Sequence, residues 1–424
     1  MKKKTILLFM IIIIVIIAVF LVINMNNKKE NNNYNNNKII YEDNNFNLNL
    51  IKKVNINKHE NYLISPYSIE IALSMLKEGA EGNTLKEIEN VIGSRNISDI
   101  TIKDHVSVAN AGFIKNEYKK YLKKEYYQIL KDKYNSEILY DDFKTPKVIN
   151  DWVNEKTNGM IKDLLDNINE YFVLGIANAL AIDVEWDHPF DCSKTISQKF
   201  TKEDGSSFNT EMMHAIFKYG GTKYLKNDNA TGIIIPYKKY NSNTGKEDID
   251  NGNNLEFIAI LPNDSVNNYI NNLTSEELDD LLLSAEEASD KLTIYLSLPR
   301  FKYDYKLDNF IDILKEMGIK EVFDSEKADL TNIIERNETT GNIYVGEAIH
   351  KTHIDLNEKG TKAAAVTYFG VFSNGALQEE KRKVNIIFNK QFIYMIRDSQ
   401  TKEILFFGTV YEPNTWNGST CSVE

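Results

Sequence analysis

The chain is poor in the groups from which catalytic and metal centres are usually built. Its 424 residues include two cysteines, Cys192 and Cys421, and six histidines at spacings that suggest no common site. There is no Cys-x-x-Cys pair, no His-Glu-x-x-His, no Gly-x-Ser-x-Gly elbow and no phosphate-cradling glycine loop. No catalytic residue, metal or cofactor is therefore expected, and the chain does not read as an enzyme. Positive charge is also in deficit. With 50 Lys and Arg against 61 Asp and Glu, the net charge is −11, which argues against nucleic acid as a partner. Lys119, Lys120, Lys123 and Lys124 are interleaved with Glu125 and aromatics, so they read as a solvated helix face, not a polyanion site. There is no internal repeat, and no cysteine near the N-terminus to carry a lipid.

What is present is a globular composition, with 42% hydrophobic, 26% charged and 11% aromatic residues. Met1-Lys2-Lys3-Lys4 precedes an uncharged apolar run from Ile6 to Ile23, about the length that crosses a bilayer. Residues 1–23 are read as an uncleaved signal anchor, with a cleaved signal peptide as the alternative. Either places the body outside the cytoplasm, at the extracellular face, anchored or secreted. Residues 24–44 are Asn-rich and read as a flexible linker. Residues 45–413 form the domain and 414–424 a polar tail. In an exported chain Cys192 and Cys421 could pair, but sequence does not show their backbones meeting, and the place of Cys421 in a polar tail weighs against it.

Within the domain, Tyr62, Leu63 and Ile64 form a short strand. Ser65-Pro66 then starts a helix carrying Ile69, Ala72, Leu73 and Leu76, which Gly79 and Gly82 break. Val106 to Phe113 is strand-like, Tyr121 to Tyr134 helical, and Leu174 to Ile182 a buried strand whose Asn178 needs a partner. An amphipathic helix with Trp152 and Val153 facing inward ends near Gly159. The polar run between Tyr240 and Asn254 reads as an elongated, mobile loop without assigned function. Leu292 to Leu298 alternates as a half-buried strand, and Leu307, Phe310, Ile311 and Leu314 follow at helical spacing.

The most informative stretch is Ile354 to Leu377. It begins as an alternating strand, yet from Ala363 to Leu377 it carries no charged side chain, which is unusual for a surface connection. Read as a strand, its alternate residues Thr361, Ala363, Ala365 and Thr367 are all small, as a strand entering a packed sheet requires. The run Glu358-Lys359-Gly360-Thr361-Lys362-Ala363-Ala364-Ala365 resembles the reactive-loop hinge of the serpins. Ile64-Ser65-Pro66-Tyr67-Ser68 and the helix after it, Trp186-Asp187-His188-Pro189-Phe190, Ile233 to Tyr237 and the C-terminal strands resemble further segments of that family. The likeness runs from Asn45 to Pro413.

The resemblance implies an α+β serpin fold with three β-sheets, eight to nine helices and an exposed reactive-centre loop at about 358–383. It implies a hinge at Glu358, Gly360, Thr361, Ala363, Ala364 and Ala365, and a polar cluster under the main sheet, the shutter, at Ser65, Ser68, Asn178 and His350. It further implies an entry point at the top of the sheet, the breach, at Trp186 and Glu358. A histidine such as His350 would otherwise read as a satisfied core residue. The family's reactive bond falls about fourteen to fifteen residues past the hinge glycine, which places it at Asn374-Gly375, with Phe372-Ser373 as the alternative. Asn-Gly by itself is also a turn signal. The implied function is suicide inhibition of an extracellular serine, or else cysteine, protease by a monomer. The other reading is a non-inhibitory member that serves as a surface binding protein. Cleavage at Lys381-Arg382-Lys383 would leave a slack tether and make the chain a mere substrate.

Overall fold

The computed structural model describes residues 45–55, 58–93, 97–361 and 382–416. The first half of the chain forms α1 (Phe46–Asn55), β1 (Tyr62–Ile64), α2 (Pro66–Lys77), α3 (Gly82–Ile92), β2 (Val106–Lys115), α4 (Lys124–Tyr134), β3 (Glu137–Asp141), α5 (Lys147–Lys156), β4 (Leu174–Ile182), β5 (Val184–Glu185), β6 (Ile196–Thr201) and β7 (Ser207–Phe217). The second half forms β8 (Lys223–Lys226), β9 (Ala230–Pro236), β10 (Leu255–Pro262), α6 (Val266–Asn272), α7 (Ser275–Leu283), β11 (Glu286–Glu287), β12 (Leu292–Pro299), β13 (Phe301–Lys306), α8 (Phe310–Met317), β14 (Lys351–Leu356), β15 (Gly360–Thr361), β16 (Arg382–Ile387), β17 (Phe392–Asp398) and β18 (Ile404–Val410).

Local chemistry starts the central helix. The Ser65 hydroxyl accepts the Ser68 N–H at 3.1 Å as N-cap of α2, and Pro66 occupies the first turn, where its missing N–H costs nothing. Buried Ile69, Leu73 and Met75 then pack this helix against β4 and β18. Seven strands in the order β1-β18-β17-β10-β9-β8-β11 make one sheet, and β17 and β18 are buried at every position because both of their faces are covered. A second sheet has the order β16-β12-β7-β6, with β16 parallel to β12.

The remaining strands form two groups, β3-β2-β4 and β13-β14-β15-β5. Only Asp183 separates β4 from β5, so these are two halves of one divided sheet, which brings four hydrogen-bonded groups to the three sheets expected. Helix α5 lies on β2 and β4, with the Trp152 and Phe113 rings edge to face at 5.5 Å.

Several expectations change. Strand β4 is only half-buried from Leu174 to Asn178, because among the described residues it pairs along one edge alone, with β2. The loop from Tyr240 to Asn254 is pinned: Asn241 and Asn253 donate to the carbonyls of Lys246 and Tyr240, and Lys103 donates to Ser242. His105 stacks on Tyr240 at 3.6 Å and reaches the Gly245 carbonyl at 3.0 Å. The reactive loop does not extend to 383. Arg382 and Lys383 are the first residues of β16, in register with Leu292 and Thr293, so their backbone is already paired. Cys192 is disulfide-bonded, contrary to the weight given to the place of Cys421 in a polar tail, and Cys421 lies outside the described residues. No described helix is long and apolar enough to cross a membrane, and residues 1–44 lie outside the described part.

Buried Tyr62 and Tyr394 and half-buried Tyr303 gather around β18, with the Tyr303 and Tyr394 hydroxyls 2.7 Å apart. A Cβ at Gly408 would stand 2.6 Å from both the Tyr394 ring and the Tyr62 carbonyl. Gly408→Ala should therefore cost roughly 1–3 kcal/mol, read as a lower urea midpoint with an unchanged slope.

Candidate functional site

Among the described residues, the divided sheet is closed at its top by β15. Thr361 faces Leu356 of β14 on one side and Val184 of β5 on the other, while Gly360 faces Glu185. Glycine is required at 360 because a Cβ there would lie 2.1 Å from the Val184 carbonyl oxygen. Beneath Thr361 an opening separates the halves. Its lining includes Leu180, Ala181 and Ile182 of β4, His353 and Ile354 of β14, and Ile396 and Phe406 of the seven-stranded sheet.

The residues around the hinge are held by charge and by aromatic stacking. Glu358 is buried, and both of its oxygens accept from Arg300 Nε at 2.8 Å, with Arg300 Nη2 2.6 Å from Oε1. Thr195 donates its hydroxyl to the same carboxylate, and Glu211 lies 3.6 Å from Arg300 Nη1. The Phe190 N–H donates to the Glu358 carbonyl, and the Trp186 N–H to that of Lys359, both at 2.8 Å. The buried Trp186 indole donates to the Asn357 carbonyl at 2.9 Å and stacks on Tyr237 with centroids 4.6 Å apart. The Tyr237 hydroxyl meets Thr361 Oγ1 at 2.7 Å, and complete burial pushes its ionisation far above the ordinary range.

Under the gap, the four polar residues form two pairs bridged by the start of α2. The Ser65 N–H donates to His350 Nε2 at 3.0 Å, which leaves the proton on Nδ1. Ser68 donates to Asn178 Oδ1, and Asn178 donates in turn to Asn110 Oδ1 at 2.8 Å. His350 thus sits with the β14 half and Asn178 with the β4 half. Burial lowers the His350 pKa to about 4. Asn110, Tyr237, Thr195 and Arg300 were not singled out from the sequence. A polar Asn110 inside the apolar run Val108 to Phe113 was a usable signal, by the argument applied to Asn178. Nothing local marks Arg300. Ala363, Ala364 and Ala365 of the hinge, and Phe372, Ser373, Asn374 and Gly375 at the candidate bonds, lie outside the described residues.

Two outcomes follow. His350 drops from 6.5 when unfolded to about 4 when folded, so the unfolded chain binds more protons between these values. Its stabilising effect is complete above pH 6.5 and is lost toward pH 4, up to about 3 kcal/mol. Urea midpoints from pH 7.5 to 4.5 should fall less steeply in His350→Gln than in the parent. Gly360→Ala should break the pairing of β15 with β5, seen as faster amide exchange at Trp186 and Phe190 with little change in β10.

Comparison with known proteins agrees with this geometry. The family model described as serpin (serine protease inhibitor) matches residues 41–413. Human neuroserpin is 28% identical over 389 residues, covering 85% of this chain and 88% of its own. Ipis-1 of the tick Ixodes persulcatus is 30% identical over 398 residues, covering 87% and 97%. Among solved structures, the thermophilic serpin tengpin in its native state superposes with a TM-score of 0.73 at 30% identity, covering 89% of this chain and 94% of tengpin. In its latent state the TM-score is 0.68 at 28% identity, covering 90% and 98%. The divided sheet with its hinge at the top belongs to a chain that is a member of the serpin family.

Proposed function

We propose that the protein is a suicide-substrate inhibitor of an extracellular protease, of the serine or else the cysteine class. The observation that carries this is the state of the sheet: among the described residues the hinge pairs at the top of the gap through β15, and β4 below it pairs along one edge alone. Proteolysis at Asn374-Gly375 would release residues 361–374 to enter as a strand about 45 Å long. The strand would bring hydrogen bonds and buried area to an open edge, and the acyl-linked protease would be carried with it. Small Ala363 and Ala365 would face the interior. Residues 1–23 would hold the domain at the outer membrane face through the linker 24–44, as a monomer with no cofactor and no nucleic acid partner. Trypsin-like enzymes are poor targets, because Arg382 is fixed in β16 with its N–H on the Lys291 carbonyl.

The test is incubation with chymotrypsin-like, elastase-like, trypsin-like, asparagine-cleaving and papain-like proteases, followed by denaturing gels and mass spectrometry. Trapping should give a band at the summed mass and a peptide that begins at Gly375, or at Ser373 if the bond is at Phe372. Cleavage by every enzyme with neither a complex nor a gain in thermal stability would sink the inhibitory reading and favour a binding protein.

A further inference from the structure

Arg300 carries a single positive charge between two buried carboxylates. Glu358 reaches it from the turn between β14 and β15, and Glu211 reaches it from β7. The guanidinium is spent almost wholly on Glu358, through Nε at 2.8 Å to both oxygens and through Nη2 at 2.6 Å. Nη1 is left for Glu211 and stands 3.6 Å from its Oε2, too far for a hydrogen bond. The other oxygen, Glu211 Oε1, is buried and has no donor among the described residues. A buried carboxylate oxygen left without a donor is costly, so its retention calls for a reason.

The backbone beside this pair does not depend on the Glu211 side chain. The Glu211 carbonyl accepts the Arg300 N–H at 2.9 Å, the Arg300 carbonyl accepts the Asn414 N–H at 3.2 Å, and Met212 lies opposite Pro299. Arg300 is thus kept next to β7 whether or not the carboxylate is engaged. Lifting the turn would break the bonds from the Phe190 N–H to the Glu358 carbonyl and from the Trp186 N–H to that of Lys359. It would also carry Glu358 away and strand the Arg300 cation, whose side chain is only 19% exposed. We propose that Glu211 is the second partner to which Arg300 passes when the turn at 357–360 opens, its free oxygen replacing the acceptor that Glu358 withdraws. Glu211 is then a positioning residue acting through Arg300. It sets a second negative charge near Glu358 while the turn is closed, and it keeps the cation paired once the turn has left, so both effects favour opening. The exchange of partners is a property of the folded chain, and only its consequence for trapping rests on the inhibitory reading.

The alternative is a brace, in which Glu211 aims the guanidinium at Glu358 and so keeps the turn closed. The two roles have opposite signs in Glu211→Gln. Amide exchange of the full-length protein, followed by mass spectrometry, would read the Trp186 and Phe190 amides, with β10 and β17 as the reference. Partner exchange predicts that Glu211→Gln slows both amides at least about threefold. Faster or unchanged exchange there, with β10 and β17 still protected, would overturn the proposal. A second comparison holds even if Glu211→Gln loosens β7. In Glu358→Gln, Glu211 is the carboxylate left to Arg300, so adding Glu211→Gln should lower the urea midpoint by more than it does in the parent. An equal drop in both backgrounds would also reject the exchange. Slower hinge amides in Glu211→Gln, with more cleaved but untrapped chain after incubation with a chymotrypsin-like protease, would support both the exchange and the inhibitory function. Slower hinge amides when neither parent nor variant traps any protease would support the exchange and reject the inhibitory function instead.

Discussion

A buried carboxylate at the head of the divided sheet is the constraint on which the rest of this structure depends. Glu358 lies in the middle of the turn between β14 and β15, and its charge is balanced by Arg300, which belongs to the junction between β12 and β13. Taking such a charge out of water is costly, and losing one partner of a buried pair typically costs about 3–5 kcal/mol. The hinge can therefore stay where it is only while Arg300 is held. Arg300 is held by the second sheet through Glu211, whose carbonyl accepts its N–H at 2.9 Å, and by the chain that leaves the seven-stranded sheet. One ion pair thus joins three sheets at the head of the divided one.

The gap itself reflects two opposed tendencies. An open strand edge favours acquiring a partner, because unpaired backbone groups gain from a new ladder and apolar area leaves water. Against this stand the aromatic stack of Trp186 on Tyr237, the Thr361 hydroxyl held by Tyr237, and the polar pairs under the sheet. The polar pairs are divided in the same sense as the sheet: Ser65 reaches the β14 half and Ser68 the β4 half, each from the first turn of α2. A helix cap is thereby made to span the seam. Movement of the halves relative to each other must break or exchange these bonds, which gives the seam a barrier independent of the hinge.

Much of the fold was legible because its signals are local. The Ser65-Pro66 start of α2, the alternation of β12 and the apolar run of β4 each follow from residue type at fixed spacing. Small residues at alternate positions from Thr361, and the absence of charge from Ala363 to Leu377, are likewise visible in sequence alone. Legibility ends where long-range placement decides. The Tyr240 to Asn254 run has the composition of a free loop, yet His105, far away in sequence, stacks on it. Arg382 reads as an exposed basic residue, but its backbone is committed to β16.

By itself the sequence determined several of the helices and strands, that the interior is apolar, and that one stretch near residue 360 combines glycine with small side chains. These depend on periodicity and side-chain volume, which each segment carries with it. Only the tertiary structure decided that Arg300 and Thr195 meet Glu358, that Asn110 continues the chain of polar groups begun by Ser68, and that residues 414–416 complete β7 instead of trailing as a tail. Each of those contacts joins residues tens to hundreds of positions apart, and a hydrogen bond or ion pair leaves no mark in sequence until folding brings its two ends within about 3 Å.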